Sequence, residues 1–443
     1  MDMPFNEILA LAMIGAFFLL LLVGLPVPIC LAVTGFVFGY IGFGDMLFGL
    51  LPARIFGVVT NYTLLALPLF IFMGIMLERS KMAEDLLDVI GLAMGRLRGG
   101  MALAIVLVGV LMGAASGVVG ATVVTVGLIA LNPLIRRGYD KGVAAGVICA
   151  SGTLGQIIPP SLVLILLADI MGESVGTLFA AALIPGLMLA GLFVAYILIL
   201  GFVLPDKVPP IPLEERQAVS GRDLFIRVLK VVVPPLALIF LVLGSIIGGI
   251  AAPTEAAAMG AFGSILLALV SGRLSLKVMT EVVRGAFVTS AMVFFILIFA
   301  QVFSLAFRGL GGERLVQDAF AFVPGGIDGQ LLFLMLLLFV LGFFLEWIEI
   351  SYIALPLFLP VLHQSGVDLA WVAILVAVNL QTSFLTPPFG WALFFLKGVA
   401  PPELKTSDIY RGVIPFIVLQ LFGLVLVYLF PSMALWLPDA IGW

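Results

Sequence analysis

Two carboxylates, Glu346 and Glu349, stand three residues apart inside an apolar stretch that runs from Gly329 to Leu362. A charge at the centre of a bilayer costs roughly 2.5–3.5 kcal/mol on insertion scales, so such a pair calls for a cation, a proton or a donor network. Ser351 follows them, and further on Asn379, Gln381, Thr382, Ser383 and Thr386 lead into Pro387-Pro388. Earlier in the chain Ser151, Gly152, Thr153, Gly155 and Gln156 lead in the same way into Pro159-Pro160. A Pro-Pro pair removes two amide donors and clashes with the preceding turn, so a helix must open there. Opening frees carbonyls upstream, which can coordinate a cation, and amides at the next helix start, which can face an anion. A third group, Ser116, Gly117 and Thr122, lies in the small-residue run from Gly113 to Thr122. Hydroxyls of this kind also pack helices through backbone hydrogen bonds in membranes, and for each residue that reading stands beside the functional one.

The elements that must position these groups are membrane elements. The chain is 63% hydrophobic and 10% charged, where a soluble domain carries about 25% charged residues. Spans are expected at 5–23, 27–43, 63–77, 142–170, 176–204, 231–250, 253–271, 285–307, 369–399 and 412–430. The acidic start has no basic region or cleavage site, so the first apolar run is expected to be a retained span. Residues 101–135 carry no charge. As one helix they would reach about 52 Å, too long for a core of about 30 Å and short for two crossings. Arg98 and Arg136-Arg137 flank the stretch, so a re-entrant hairpin with both ends in one compartment is expected. Residues 329–362 repeat the pattern. With the first hairpin opening to the cytoplasm and the second to the periplasm, eighteen of the 21 Lys and Arg fall on the cytoplasmic side, as the positive-inside rule requires. Both termini then lie in the periplasm.

The polar stretch 205–222 divides the chain near its midpoint and reads as a cytoplasmic linker. Across it, Gly138-x-Asp140 matches Gly366-x-Asp368, and Pro159-Pro160 matches Pro387-Pro388, at one offset of 228. Pro28–Gly35 and Pro253–Gly260 share a further spacing. The expected fold is therefore an all-α membrane protein of two inverted repeats, 1–204 and 223–443. Each holds a re-entrant helical hairpin (101–135, 329–362) and a helix broken at Pro-Pro (142–170, 369–399). Such folds place solute and ion sites near the midplane, where the repeats meet. Cys30 and Cys149 read as small core residues. One histidine, His363, gives no His-based metal site, and no phosphate-cradling Gly-Lys-Ser/Thr loop is present, so ATP does not drive this chain directly. Glu255, just after Pro253, reads as a helix-start carboxylate.

Three motifs in order, Ser151-Gly-Thr-Leu-Gly-Gln-Ile-Ile-Pro159-Pro160-Ser161, Ala252-Pro-Thr-Glu-Ala-Ala-Ala-Met-Gly260 and Asn379 to Gly390, resemble the large membrane subunit of TRAP transporters. These are the tripartite ATP-independent periplasmic systems of the DctM type. The resemblance covers essentially the whole chain. It implies an elevator-type carrier of the ion-transporter-superfamily kind in the bacterial inner membrane. Such a carrier is coupled to sodium, has no cofactor, and works with a small DctQ-type membrane subunit and a periplasmic substrate-binding protein. The expected cargo is a small organic acid, a C4-dicarboxylate or related carboxylate. Sodium is expected at Ser116, Gly117, Thr122, Ser151, Gly152, Thr153, Glu346, Ser351, Asn379 and Thr382. The solute is expected at Gln156, Pro159, Pro160, Glu349, Gln381, Ser383, Thr386 and Pro387. This hairpin departs from the family's common Asp-containing tip by carrying Glu346 and adding Glu349. The second reading is a stand-alone sodium-coupled carboxylate carrier. A third, an intramembrane enzyme using the two glutamates, lacks a nucleophile-base pair.

Overall fold

The computed structural model describes residues 5–217, 219–387 and 390–443, the side chains at 115, 116 and 217 excepted. Among the described residues every regular element is helical, and seven helices are long and apolar enough to cross a bilayer.

Two apolar stretches fold back on themselves, because each is too long for one span and carries a tip that glycine can turn. In the first, the arms Gly100–Ser116 and Val119–Arg136 meet at Gly117. Its φ of +61° lets its amide reach the Gly113 carbonyl at 2.8 Å, and extended Val118 starts the return. A Cβ there would lie 2.8 Å from Leu162 Cγ and 3.0 Å from the Leu162 amide nitrogen. The tip thus needs glycine both for its left-handed backbone and for space. In the second hairpin Gly326–Leu341 leads to an irregular turn over 342–346. The return begins with Trp347–Glu349, passes through a π-turn at Ile350–Ala354 and continues as Leu355–Ser365. Single π-turns inside helices recur at functional sites.

Each hairpin hands over to its broken helix by the same device. Gly138 (φ +85°) and Gly366 (φ +69°) turn the chain. Asp140 and Asp368 then cap the next helix, accepting the amides of Val143 and Trp371 at 3.0 Å each, a cap worth about 1 kcal/mol. The first broken helix runs Lys141–Thr153, tightens at Leu154–Gln156, is irregular over 157–161 and resumes at Leu162–Met171. The second runs Leu369–Leu385 and resumes at Trp391–Val399. Pro387 lies in this second break, and Pro388 lies outside the described residues. The hairpins pack on the broken helices at equivalent places. Gly113 meets Gly155, where an added Cβ would sit 2.5 Å from Gly155 Cα, and Gly342 meets Ser383.

The remaining helices form a scaffold. Leu276–Gly309, 34 residues and so about 51 Å long, lies along Val27–Phe43. Gly35 and Gly39 permit this closeness. A Cβ on Gly35 would lie 2.9 Å from Val302 Cγ1, and one on Gly39 would lie 3.2 Å from Ala306 Cβ, the small-xxx-small packing of membrane helices. In the other repeat, Gly260 on Pro253–Val270 admits Met73 Sδ of Ala66–Arg79, 2.7 Å from where a Cβ would stand.

Helices Met46–Val59, Met82–Met94, Gly312–Ala321 and Ser432–Ile441 were not among the expected spans, being too short to cross. The midpoint segment is also more structured than its polar composition suggests. It holds the short helix Leu213–Gln217, and Val208 and Ile211 are buried. The amide of Gly99 bonds the Val208 carbonyl at 2.8 Å, and the amide of Ile211 bonds the Gly95 carbonyl at 3.0 Å. Helix Gly221–Ile247 already begins within it.

Candidate functional site

The two hairpin tips, the two broken helices and the scaffold meet around one cavity of about 380 Å³. The first tip contributes Val118 to Ala121, and the second contributes Glu346, Trp347 and Ile348. Leu162, Phe384 and Phe395 come from the broken helices, and Glu78, Thr289 and Met292 from the scaffold. The wall is thus mostly hairpin and broken helix, with Glu78, Thr289, Met292 and Val293 from the scaffold. Glu78 reaches it from the last turn of Ala66–Arg79 and accepts the Thr125 hydroxyl, from the first hairpin, at 3.1 Å.

The broken helices also hold a buried polar knot. Thr153 Oγ1 donates to the Ala150 carbonyl at 2.8 Å and accepts the side-chain amides of Gln381 and Gln420 at 3.2 and 3.1 Å. A threonine hydroxyl has one proton and two lone pairs, and here all three are used. Both amides must therefore present nitrogen to it. Thr153 and Gln381 are 228 positions apart, the repeat offset, so the broken helices touch at the same position of each repeat and the pseudo-two-fold axis passes between them. The oxygens of Gln381 and Gln420, both polar atoms of Gln156, and Ser351 Oγ are buried with no partner among the described residues. Unpartnered polar atoms at such depth are rare and mark where a bound species or water completes the set.

The other hydroxyls donate to their own helices. Ser151 bonds the Ile148 carbonyl, Thr382 that of Val378, Ser383 that of Leu380 and Thr386 that of Thr382, at 2.7–3.1 Å. Their lone pairs remain for a cation. Asn379, the repeat counterpart of Ser151, donates to the Met335 carbonyl of the second hairpin at 2.7 Å. Gly152 packs against Val123, and the Thr122 hydroxyl donates to the Val118 carbonyl at 3.2 Å. The Ser116 side chain lies outside the described residues. Among the described residues no three His, Cys, Asp or Glu side chains gather as a metal site. A cation here would be held by hydroxyl and carbonyl oxygens at the opened helices.

Of the residues expected to face the solute, none lines the cavity. Glu349 is the clearest departure. It is 4% exposed, and its Oε2 accepts the backbone amide of Glu346, closing the start of the returning arm. A carboxylate three residues into a helix that reaches back to the cap amide is half of a capping box. Pro159, Pro160, Gln381 and Ser383 are buried, and Thr386 and Pro387 are half-buried at the second break. Glu346, expected as an ion ligand, instead lines the cavity, and among the described residues it has no ion-pair partner.

Three polar features were absent from the sequence reading. One is Glu78, which reads in sequence as a span-end charge beside Arg79. Another is Gln420, in the uninterrupted helix Thr406–Leu429. The third is Asp169, whose Oδ1 accepts Asn61 Nδ2 and whose Oδ2 accepts the Tyr352 hydroxyl at 2.7 Å. This carboxylate ties a scaffold loop to the first broken helix and the second hairpin. A lone Asp in the apolar run Leu162–Met171 was the available signal.

Paired re-entrant hairpins, paired broken helices and a cavity at their tips define a polytopic secondary-carrier fold. The YdaH transporter of Alcanivorax borkumensis, a solved structure, shares this fold with a TM-score of 0.60 over 96% of this chain and 98% of that one, at 14% identity. The profile of the family described as tripartite ATP-independent periplasmic transporter, DctM component, matches residues 14–433. Relatives include the C4-dicarboxylate large permease DctM of Pseudomonas aeruginosa, 33% identical over 88% of this chain and 90% of that protein. The ectoine large permease TeaC of Halomonas elongata is 30% identical over 98% and 99%. The isethionate permease DctMQ of Oleidesulfovibrio alaskensis is 30% identical over 94% of this chain and 64% of its own length. The chain belongs to the DctM family: it is a multi-pass large permease subunit of a TRAP transporter, and not an enzyme.

Proposed function

We propose that this permease carries a small organic acid inward across the bacterial inner membrane, coupled to sodium, after delivery by a periplasmic binding protein. A small DctQ-type subunit completes the membrane part. The observation that carries the reading is the division of the cavity wall between hairpin tips and scaffold. A solute held there is released to either side when the hairpins and broken helices slide as a unit against the scaffold, the elevator form of alternating access. Sodium fits the opened helices around Ser151, Asn379 and Thr382, where the Ser151 and Thr382 hydroxyls have spent their protons on backbone carbonyls and offer only lone pairs. The cytoplasmic bias of Lys and Arg supports periplasmic termini. The relatives differ in the solutes they are named for, and one is a single DctMQ chain, which supports a shared carrier body with a separately chosen cargo. Reconstituted in liposomes with its partners, the complex should take up the solute held by its binding protein in proportion to an inward sodium gradient. Uptake that ignores the gradient would refute the coupling.

A further inference from the structure

The cavity wall says which kind of organic acid fits, granted the carrier reading above. Two carboxylates, Glu78 and Glu346, face the same space, and among the described residues lining it there is no Lys, Arg or His. Among the described residues neither carboxylate has an ion pair. Glu78 receives one hydroxyl, from Thr125. Around them stand Trp347, Phe384 and Phe395. Carboxylates beside aromatic rings form the environment that attracts a diffuse organic cation, through charge and through the negative ring faces. A second carboxylate on the solute would meet like charge from Glu78 and Glu346, which repels it.

The first hairpin tip adds a group of the complementary sign. Val119, Gly120 and Ala121 are the first residues of an 18-residue helix, and they line the same cavity. The first amides of a helix have no intrahelical acceptor, and the helix end carries partial positive charge. One carboxylate fits there. A Cβ at Gly120 would lie 2.9 Å from Phe395 Cζ, so this close approach of ring to helix start depends on glycine. The volume of about 380 Å³ holds roughly a dozen waters at about 30 Å³ each, enough for a small solute with part of its hydration.

We infer that the cargo is a compact zwitterion, with one carboxylate at the Val119–Ala121 amides and a quaternary or delocalised cation between Glu78, Glu346 and the rings. A dianion is disfavoured. The test uses the large permease purified with its small subunit, without the binding protein, in sodium buffer, so that selection by the membrane complex alone is read. Glycine betaine and succinate are the probes, titrated by thermal shift. Betaine should bind at least tenfold more tightly than succinate. Glu78→Gln and Glu346→Gln should each weaken betaine about tenfold and leave succinate equal or improved. Succinate binding as tightly as betaine, no binding of betaine, or a betaine-to-succinate ratio unchanged in both variants overturns the inference. Sodium-driven succinate uptake by the wild-type complex would overturn it while leaving the carrier reading intact. Betaine binding without sodium-driven uptake would do the reverse.

Discussion

Replacing Thr153 with valine tests the knot between the repeats. The swap keeps shape and deletes the one oxygen that receives the amides of Gln381 and Gln420. Each buried donor left without an acceptor costs about 1–3 kcal/mol, so the two together set a range of about 2–6 kcal/mol. The lower part of that range is expected, because either glutamine can rotate and its free oxygen has no bond to lose. Thr153→Ser is the control. It keeps the hydroxyl and removes one methyl, a loss of about 1 kcal/mol. Unfolding of the purified protein in mixed micelles with increasing denaturing detergent ranks the variants. The expected order is wild type, then serine, then valine by a clear margin. A Thr153→Val protein as stable as wild type, or more stable than Thr153→Ser, would refute the assignment of both amide nitrogens to this oxygen. A cycle with Gln381→Leu should show a coupling of at least about 0.5 kcal/mol, as expected of residues in direct contact.

Asp169→Ala removes both carboxylate oxygens, so its bonds to Asn61 and Tyr352 are both lost. At about 1.5–3 kcal/mol for a hydrogen bond to a charged group, separation of the loop from the hairpin should become more than tenfold more populated. Alkylation of a cysteine placed at Thr63, in a background with Cys30 and Cys149 replaced by alanine, should accelerate accordingly, and an unchanged rate would count against the tie. Glu346→Gln should lower transport far more than Glu255→Gln, since Glu255 only accepts its own cap amide at Ala252; uptake assays at matched expression decide it. Glu173, in a loop, has its carboxyl pushed above the usual range by burial and then by Asp368, with His363 pulling it back. Its charged form is therefore the disfavoured one in the fold, and stability falls as pH rises through its ordinary value near 4.5. Glu173→Gln should raise the melting temperature at neutral pH and change little below about pH 4.

The hairpins and the broken helices were legible because each violates a length rule. A stretch of 35 uncharged residues fits neither one span nor two, and a Pro-Pro pair cannot continue a helix. The Gly-x-Asp spacing was legible for the same local reason: glycine turns the chain out and aspartate caps the next helix. The cavity wall was not legible, because it is assembled from elements distant in sequence. Glu78 ends a helix next to Arg79, a place where solvent usually explains a charge. Gln420 interrupts nothing. Glu349 could be seen in sequence three residues from Glu346, and that spacing carried two meanings, a paired site or a capping box. Only the position of the Glu346 amide decides between them. Solute-facing and packing residues on one broken helix differ by a rotation about its axis, and no pattern in an almost uniformly apolar run encodes that angle.

The contact of Thr153 with Gln381 also bears on why the two halves share one chain. Were the repeats separate, identical molecules pairing as a dimer, the residue on the symmetry axis would face its own copy. A threonine would meet threonine, or a glutamine glutamine, and neither pairing gives one oxygen served by distinct donors. Joining the halves covalently frees the axial position from self-complementarity, so that one copy supplies the acceptor and the other the donor. The same freedom extends to the tips, where one half turns on glycine and the other carries Glu346. A carrier assembled from identical halves would be forced to treat its two membrane faces alike. This chain has the means to treat them differently.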